Sequence, residues 1–215
     1  MEALALSPDG RELPALVPED RGRFLLGISG APGSGKTTLA AAVAALTGAV
    51  VVPMDGFHLA DVELVRRGLR DRKGAPETFD AWGYADLLAR VRSHPDHDIV
   101  APAFERGLEQ PVAGAIPVPP GAGLVVTEGN YLLLDDPPWR AVRGQLDAVW
   151  HARTDDVVRR ERLVARHVEF GKSPDAARAW VERVDEPNAR LIGASQHRAD
   201  LVLDLTGWRG QAPPV

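Results

Sequence analysis

Short apolar runs that end near a glycine or an acidic residue alternate along this chain with stretches of helical character. Apolar runs of roughly four to eight residues bounded by turn residues are typical of buried strands. The runs predicted as strands are FLLGISG from Phe24, AVVVP from Ala49, GLVVTEG from Gly123, LDAVWHA from Leu146 and ADLVLDL from Ala199. Because strands that alternate with helices build parallel sheets, this order predicts a three-layer α/β/α fold around a central parallel sheet of about five strands.

The intervals between these runs carry helical signals. Alanine and leucine in TTLAAAVAAL favour a helix that ends at Gly48. LADVELVRRG and YADLLARVRS are further helical stretches, and a long one runs from Thr154 or Asp155 towards Phe170. Another helix is predicted to begin at Pro174, since proline is favoured in the first helical turn.

The length of 215 residues suits one domain, which we expect to span residues 1–215. Its core is predicted over about 22–206, with a helical lid over about 153–173. IVAPAF is predicted as one more strand, and the proline-rich GAIPVPPGAG as a surface loop or a hairpin. The first twenty or so residues and the last eight are predicted to be flexible or peripheral.

Composition narrows the classes of partner. The net charge of −5 leaves no basic excess to neutralise phosphates, so we expect no nucleic-acid partner. The sequence contains no cysteine, which excludes disulfides and thiolate metal sites. No apolar stretch is long enough for a membrane span, and MEALALSPDGREL does not have the pattern of a secretory signal. We therefore expect a cytoplasmic protein without a membrane partner, and a homodimer is compatible with these observations.

A phosphate-binding loop follows the first predicted strand. Residues 30–37, GAPGSGKT, match G-x-x-x-x-G-K-[ST] and open a predicted helix, which is the context that this motif requires. Lys36 is expected to reach the outer phosphates and the Thr37 hydroxyl to bind Mg²⁺. The residues predicted to bind ATP are Gly30, Ala31, Pro32, Gly33, Ser34, Gly35, Lys36, Thr37 and Thr38.

Two carboxylates end predicted strands. Glu128 ends GLVVTEG as the acidic residue of a Walker-B-like element would, and it is predicted to hold Mg²⁺ or to polarise the attacking group. Asp55 follows the second strand and precedes Gly56, and from the residues alone it is a turn former, a metal ligand or a base.

Three classes of P-loop protein compete for this sequence: small-molecule kinases, GTPase switches and transport ATPases. The segment Asp71-Arg-Lys-Gly74 follows charged residues rather than a strand, and the guanine-recognition pattern Asn-Lys-x-Asp does not occur in the sequence. A signature stretch of a transport ATPase is not found either. The kinase interpretation remains, and it rests on the further motifs given below, while the missing guanine pattern tilts the expected phosphoryl donor towards ATP.

The lid segment carries a row of arginines. Arg159, Arg162 and Arg166 fall on one helical face, where they can fold over the triphosphate. Alternatively, the face is solvated and makes salt bridges to Glu161 and Glu169. Arg162 and Arg166 are the preferred catalytic pair, because their spacing in R-L-x-x-R resembles the lid motif of P-loop kinases.

These motifs resemble those of the uridine kinase, phosphoribulokinase and bacterial pantothenate kinase group. The similarity spans roughly residues 25–203 and rests on GxxxxGKT, MDGFH, RKGAPETFD, EGNYLLLD and WVERVDEPNARLI. The combination is most similar to the small bacterial kinases labelled fructose-transport or nucleoside kinases. The resemblance implies that Asp55 is the general base for a substrate hydroxyl, and that Glu77 grips the hydroxyls of a sugar.

The acceptor is expected to be a small hydroxylated metabolite. The predicted acceptor residues, besides Asp55 and Glu77, are His58, Arg72, Lys73, Phe79, Phe104, Arg106 and Tyr131. The related kinases place a tyrosine and a histidine near APAFERGLEQP, where this chain has Phe104 and no histidine. This departure weakens uridine, cytidine and pantothenate as acceptors, although a pantothenate-like alcohol stays an alternative. The alternative from another class is a nucleotide-binding regulator or partner-binding module that transfers nothing.

Overall fold

The computed structural model describes residues 2–17, 22–93 and 96–210. Six parallel strands form the central sheet in the order β1-β8-β7-β2-β6-β3. Their bounds are β1 Leu4–Ala5, β2 Phe24–Gly30, β3 Val50–Pro53, β6 Leu124–Gly129, β7 Ala148–Arg153 and β8 Leu201–Asp204. A separate antiparallel hairpin consists of β4, Ile99–Glu105, and β5, Gln110–Val118.

The helices pack on both faces of the sheet. They are α1 Leu13–Leu16, α2 Lys36–Thr47, α3 Asp61–Arg67, α4 Ala81–Ser93, α5 Pro137–Arg143, α6 Asp156–Glu169, α7 Pro174–Trp180 and α8 Glu186–Ser195. A π-helical turn, Val181–Asp185, joins α7 to α8. Alternate strand residues face opposite layers, so Leu25 packs in the core with α4 and α5 while Leu26 packs in the core with α1 and α2. This arrangement confirms the predicted three-layer fold.

Two details of the fold differ from expectation. The main sheet has six strands rather than about five, because β1 pairs with β8 in parallel at its edge. The first residues are therefore not simply peripheral, since Leu6 and Leu13 are buried in the core. IVAPAF does form a strand, but it pairs with the proline-rich segment in the hairpin and not with the central sheet.

No helix within the described ranges combines the length and the apolar character that crossing a membrane requires.

Candidate active site

The phosphate-binding loop joins β2 to α2 and leaves its backbone open towards a cavity. Gly33 and Gly35 adopt left-handed φ values of 78° and 90°, which glycine accepts without strain. The cavity above the loop, here called the P-loop cavity, measures about 380 Å³. It is lined by Gly33, Gly35, Lys36, Thr37, Thr38, Arg162, Leu163, Arg166, Leu205, Trp208, Arg209 and Gly210. The amino-terminal end of α2, where helix dipoles favour anions, lies at this cavity.

Thr37 and Glu128 meet at the edge of the P-loop cavity. The Thr37 hydroxyl donates a hydrogen bond of 3.0 Å to Oε1 of Glu128, which is 5% exposed. Burial raises the pKa of Glu128, and the positive charge of Lys36 partly opposes this effect, whereas Asp55 adds to it. A hydroxyl and a carboxylate side by side are hard oxygen donors of the kind that Mg²⁺ binds together with substrate phosphates.

Asp55 lies beside Glu128 because their strands are neighbours. Pro53, the last residue of β3, is paired with Glu128 on β6, and Asp55 follows in a 3₁₀ turn over Met54–Phe57. Gly56 is not there for a left-handed turn. A Cβ atom on Gly56 would lie 2.3 Å from the carbonyl oxygen of Pro102, so glycine lets the hairpin pack directly against this turn.

A second cavity, here called the hairpin cavity, lies between the β4–β5 hairpin and the end of α6. Its volume is about 600 Å³. Four predicted acceptor residues, His58, Lys73, Phe104 and Arg106, line it together with Arg166. The His58 ring packs at a tilt against Phe104, with 4.8 Å between centroids, and burial lowers the pKa of His58. Arg166 also lines the P-loop cavity, so the two cavities meet at this side chain.

The lid arginines have different environments. Arg159 is only 3% exposed and pairs with Asp156 at 3.1 Å and with Glu186 on α8. It is therefore fixed beneath the phosphate loop instead of joining the row that faces the triphosphate. Within the described ranges Arg162 and Arg166 make no ion pair, and salt bridges from the row to Glu161 or Glu169 are not found there either.

The segment from Lys172 to Asn188 braces this lid. Glu186 holds Arg159 and also Arg160, at 2.9 Å, while Asp185 contacts Nε2 of His167 at 2.9 Å. The acidic pair in DEPNA thus ties α6 to the α7–α8 segment, a role that the sequence motif alone did not indicate.

Other predicted acceptor residues lie elsewhere. Arg72 and Glu77 pair with each other at 2.6 Å, and neither lines the hairpin cavity. Glu77 and Phe79 line a different cavity, of about 600 Å³, next to Trp82 and Trp139. Phe79 nevertheless contacts His58, since the two residues form an antiparallel bridge and their ring centroids lie 4.0 Å apart. Glu77 opens on this different cavity, and its contact with an acceptor stays a prediction.

Tyr131 is part of the core and not of an open pocket. It is fully buried, its hydroxyl donates to the Gly74 carbonyl at 2.5 Å, and its ring packs against Phe79 and Trp139. Burial raises the pKa of its phenol. Tyr131 therefore packs behind Phe79, whose ring in turn contacts the ring of His58.

Sequence reasoning missed the carboxy-terminal wall of the P-loop cavity. Leu205, Trp208, Arg209 and Gly210 line it, and Trp208 is 5% exposed. The last eight residues had been predicted as peripheral, yet residues 208–210 lie at the site; residues 211–215 are outside the described ranges. A tryptophan close after the last strand was the available signal, since large aromatic side chains seldom stay in solvent.

Comparison with known proteins places this geometry in a family. No family model matches the chain. The uncharacterized protein YggC of Escherichia coli is 35% identical over 182 residues, which cover 81% of this chain and 75% of YggC. A Schizosaccharomyces pombe protein named as a candidate uridine kinase is 32% identical over 194 residues, covering 84% of this chain and 83% of that protein. The crystal structure of a candidate fructose transport system kinase from Silicibacter sp. TM1040 superposes with a TM-score of 0.79 and 42% identity, covering 88% of this chain and 94% of that one.

Proposed function

This chain belongs to the uridine kinase-like group of P-loop kinases, and from this we propose that it phosphorylates a hydroxyl group of a sugar, a nucleoside or a related metabolite. The family establishes an ATP-dependent phosphotransferase. The acceptor class, the base and the metal are our proposal.

One observation carries the proposal: Arg166 lines both the P-loop cavity and the hairpin cavity. A triphosphate on the loop and an acceptor beside His58 and Phe104 would therefore meet at one guanidinium. A second cavity that shares Arg166 with the P-loop cavity offers an acceptor a place beside the phosphates. Phosphoryl transfer depends on holding two reactants in line.

In the proposed reaction the γ-phosphoryl group of ATP moves to the hydroxyl oxygen of the acceptor. The acceptor oxygen attacks the γ-phosphorus and forms a new O–P bond, while the bond from that phosphorus to the β–γ bridging oxygen breaks and its electron pair leaves with ADP. The proton of the hydroxyl passes to the carboxylate of Asp55, which lies at the strand end beside Glu128.

Positive side chains compensate the charge of the transferred group. Lys36, at the start of α2, would face the outer phosphates, and Arg162 and Arg166 line the same cavity from α6. Thr37 and Glu128 fit the oxygen donors that a magnesium ion uses with nucleotide phosphates, so they would hold it. When bound, that ion supplies neutralisation of the β- and γ-phosphate oxygens.

The test is acceptor-dependent release of ADP from ATP and Mg²⁺ across a panel of sugars, ribonucleosides and pantothenate-like alcohols. We expect one chemical class to raise ADP release well above the rate without acceptor. Slow hydrolysis that no acceptor stimulates, combined with nucleotide-dependent binding to another protein, would instead identify a regulator or partner-binding module. Stimulation by pantothenate-like alcohols alone would select that alternative acceptor.

A further inference from the structure

The hairpin cavity concentrates positive charge in an acidic protein. The chain has a net charge of −5. Among the charged side chains that line this cavity, Arg70, Lys73, Arg106, Arg166, Lys172 and Arg183 are cationic, whereas Asp71 and Glu109 are anionic. The excess of positive charge at this cavity is opposite in sign to the net charge of the whole protein, which indicates a specific role for these cations at this site.

Part of this charge is already compensated within the protein. Lys73 donates to Oδ1 of Asp61 at 2.8 Å, and Arg70 lies 3.3 Å from Oδ2 of the same residue. The other four cations have no such partner: no described carboxylate lies within ion-pair distance of Arg106, Arg166, Lys172 or Arg183.

Aromatic rings place three of these four cations without cancelling their charge. The Arg106 guanidinium lies 5.8 Å from the centroid of the Phe170 ring. Lys172 Nζ and the Arg183 guanidinium lie 4.8 and 5.5 Å from the centroid of the Trp180 ring. A ring face attracts a cation electrostatically but carries no net charge, so the positive potential stays available to a ligand.

We propose that the acceptor carries an anionic group, a carboxylate or a phosphate ester, which Lys172 and Arg183 bind from the lid side and Arg106 binds from the hairpin. This inference rests on the proposed function. The acceptor hydroxyl then points towards Asp55, and Arg166 stays at the junction with the triphosphate. Because these cations come from two separate elements, a bound anion also holds the end of the lid against the hairpin.

Two matched pairs of compounds test the charge requirement: gluconate with glucitol, and ribose 5-phosphate with ribose. In each pair the hydroxyls are similar and the anion differs. We expect kcat/KM for at least one anionic member to exceed that of its neutral partner by about 100-fold, as hydrogen bonds to charged groups can supply. The pair that responds identifies the carboxylate or the phosphate as the source of the charge.

Other outcomes of this panel separate the two proposals. Neutral members that react as well as their anionic partners would overturn the inference and leave the kinase function standing. No reaction with any member, combined with no stimulation by the wider panel of sugars, ribonucleosides and pantothenate-like alcohols while ATP still binds, would overturn the proposed function and the inference with it.

Single variants test the residues. We expect Arg183→Gln and Lys172→Gln each to raise KM for the anionic acceptor by roughly 10–100-fold, and to leave KM for ATP and for the neutral partner unchanged. Arg178→Gln is the matched control, because Arg178 lies on the same helical segment but pairs with Asp175 and does not line the cavity. An unchanged acceptor KM in both variants would overturn the inference. A raised KM for ATP would also overturn it, since the cations would then serve the nucleotide.

Discussion

The hydroxyl of Thr37 donates to Glu128 across 3.0 Å and so connects the helix of the phosphate loop to the end of β6. Burial of Glu128 raises its pKa, which means that the folded protein is penalised for keeping this carboxylate ionised. The arrangement suits a site that gains a cation together with its nucleotide.

Replacing Glu128 by glutamine should remove this penalty while leaving an oxygen that accepts from Thr37. The pKa of Glu128 is higher in the folded protein than in the unfolded chain, where it is about 4.3. Ionisation of Glu128 therefore destabilises the folded protein as the pH rises from the unfolded pKa through the folded pKa. We expect Glu128→Gln to equal the wild type in free energy of unfolding near pH 4 and to exceed it increasingly as the pH rises towards 8. Urea unfolding without nucleotide or metal measures this, with the exposed Glu161→Gln as control. A variant less stable than wild type near pH 8 would contradict the prediction.

Asp55→Asn should reduce turnover by ~10²–10⁴-fold, because the amide cannot accept the proton of the acceptor hydroxyl. ATP affinity should change little, since Asp55 does not line the P-loop cavity. Steady-state kinetics with a responsive acceptor and equilibrium binding of ATP give both values. Asp86→Asn, on the exposed face of α4, is the control. Normal turnover in the Asp55 variant would remove that residue from the mechanism.

Arg159 and Arg162 should separate stability from catalysis. Arg159→Gln leaves Glu186 without its buried partner, and we expect the free energy of unfolding to fall by about 3 kcal/mol. Arg162→Gln should leave stability nearly unchanged and lower kcat/KM for ATP by about 10-fold or more, because that guanidinium faces the P-loop cavity. Thermal unfolding and kinetics on both variants make the comparison. Similar unfolding temperatures for the two would be inconsistent with these assignments.

His151 should make the protein sensitive to mild acid. This residue is buried on β7, its Nδ1 has no partner within the described ranges, and burial lowers its pKa to about 4. The pKa of His151 is lower in the folded protein than in the unfolded chain, where it is about 6.5. As the pH falls from about 6.5 towards the folded pKa, the unfolded chain binds the proton first, and the folded protein loses stability. His151→Gln should therefore gain stability relative to wild type by up to about 3 kcal/mol across this window.

Urea midpoints at several pH values between neutrality and mild acid measure the His151 effect. The exposed His197→Gln variant is the control for the substitution itself. A difference from wild type that stays constant with pH would show that the imidazole of His151 does not titrate as argued.

Gly56→Ala should disturb the packing of the hairpin against Asp55. The added Cβ would lie 2.3 Å from the Pro102 carbonyl oxygen, and relief of such overpacking costs roughly 1–3 kcal/mol. Activity should fall as well, because the turn that carries Asp55 must shift. Gly193→Ala, in open space on α8, should instead match or exceed wild-type stability. Chemical unfolding and turnover of both variants check this, and a stable, fully active Gly56 variant would refute the packing argument.

Local sequence patterns were sufficient to predict the buried strands and the phosphate-binding loop. The apolar runs that end in Ile28-Ser29-Gly30 and Thr127-Glu128 predict neighbouring parallel strands, and the glycines of the phosphate loop need no partner to be recognised. By contrast, Leu4–Ala5 is too short to show a strand pattern and is a strand only because β8 offers an open edge.

The features of the site that the sequence did not predict depend on contacts between residues far apart in the chain. Three arginines at helical spacing look equivalent, but only Arg159 finds Glu186, 27 residues further along the chain. Similarly, the resemblance to uridine kinases implies a role for Glu77 but does not show that Glu77 and His58 line different cavities, because the path of the loop between them depends on tertiary packing.

The contact between Gly33 and α6 restricts how the lid can move. A Cβ on Gly33 would lie 2.8 Å from both the Arg159 carbonyl oxygen and Leu163 Cγ, so the first turns of α6 rest directly on the phosphate loop. The packing of the first turns of α6 on the loop would hold that end of the helix in place. An opening that admits a substrate would therefore move the opposite end, where Phe170 packs against Arg106 and Gly171 has a φ of 94°. Arg166 lies nearer that end than Arg162, so in such an opening it would move further.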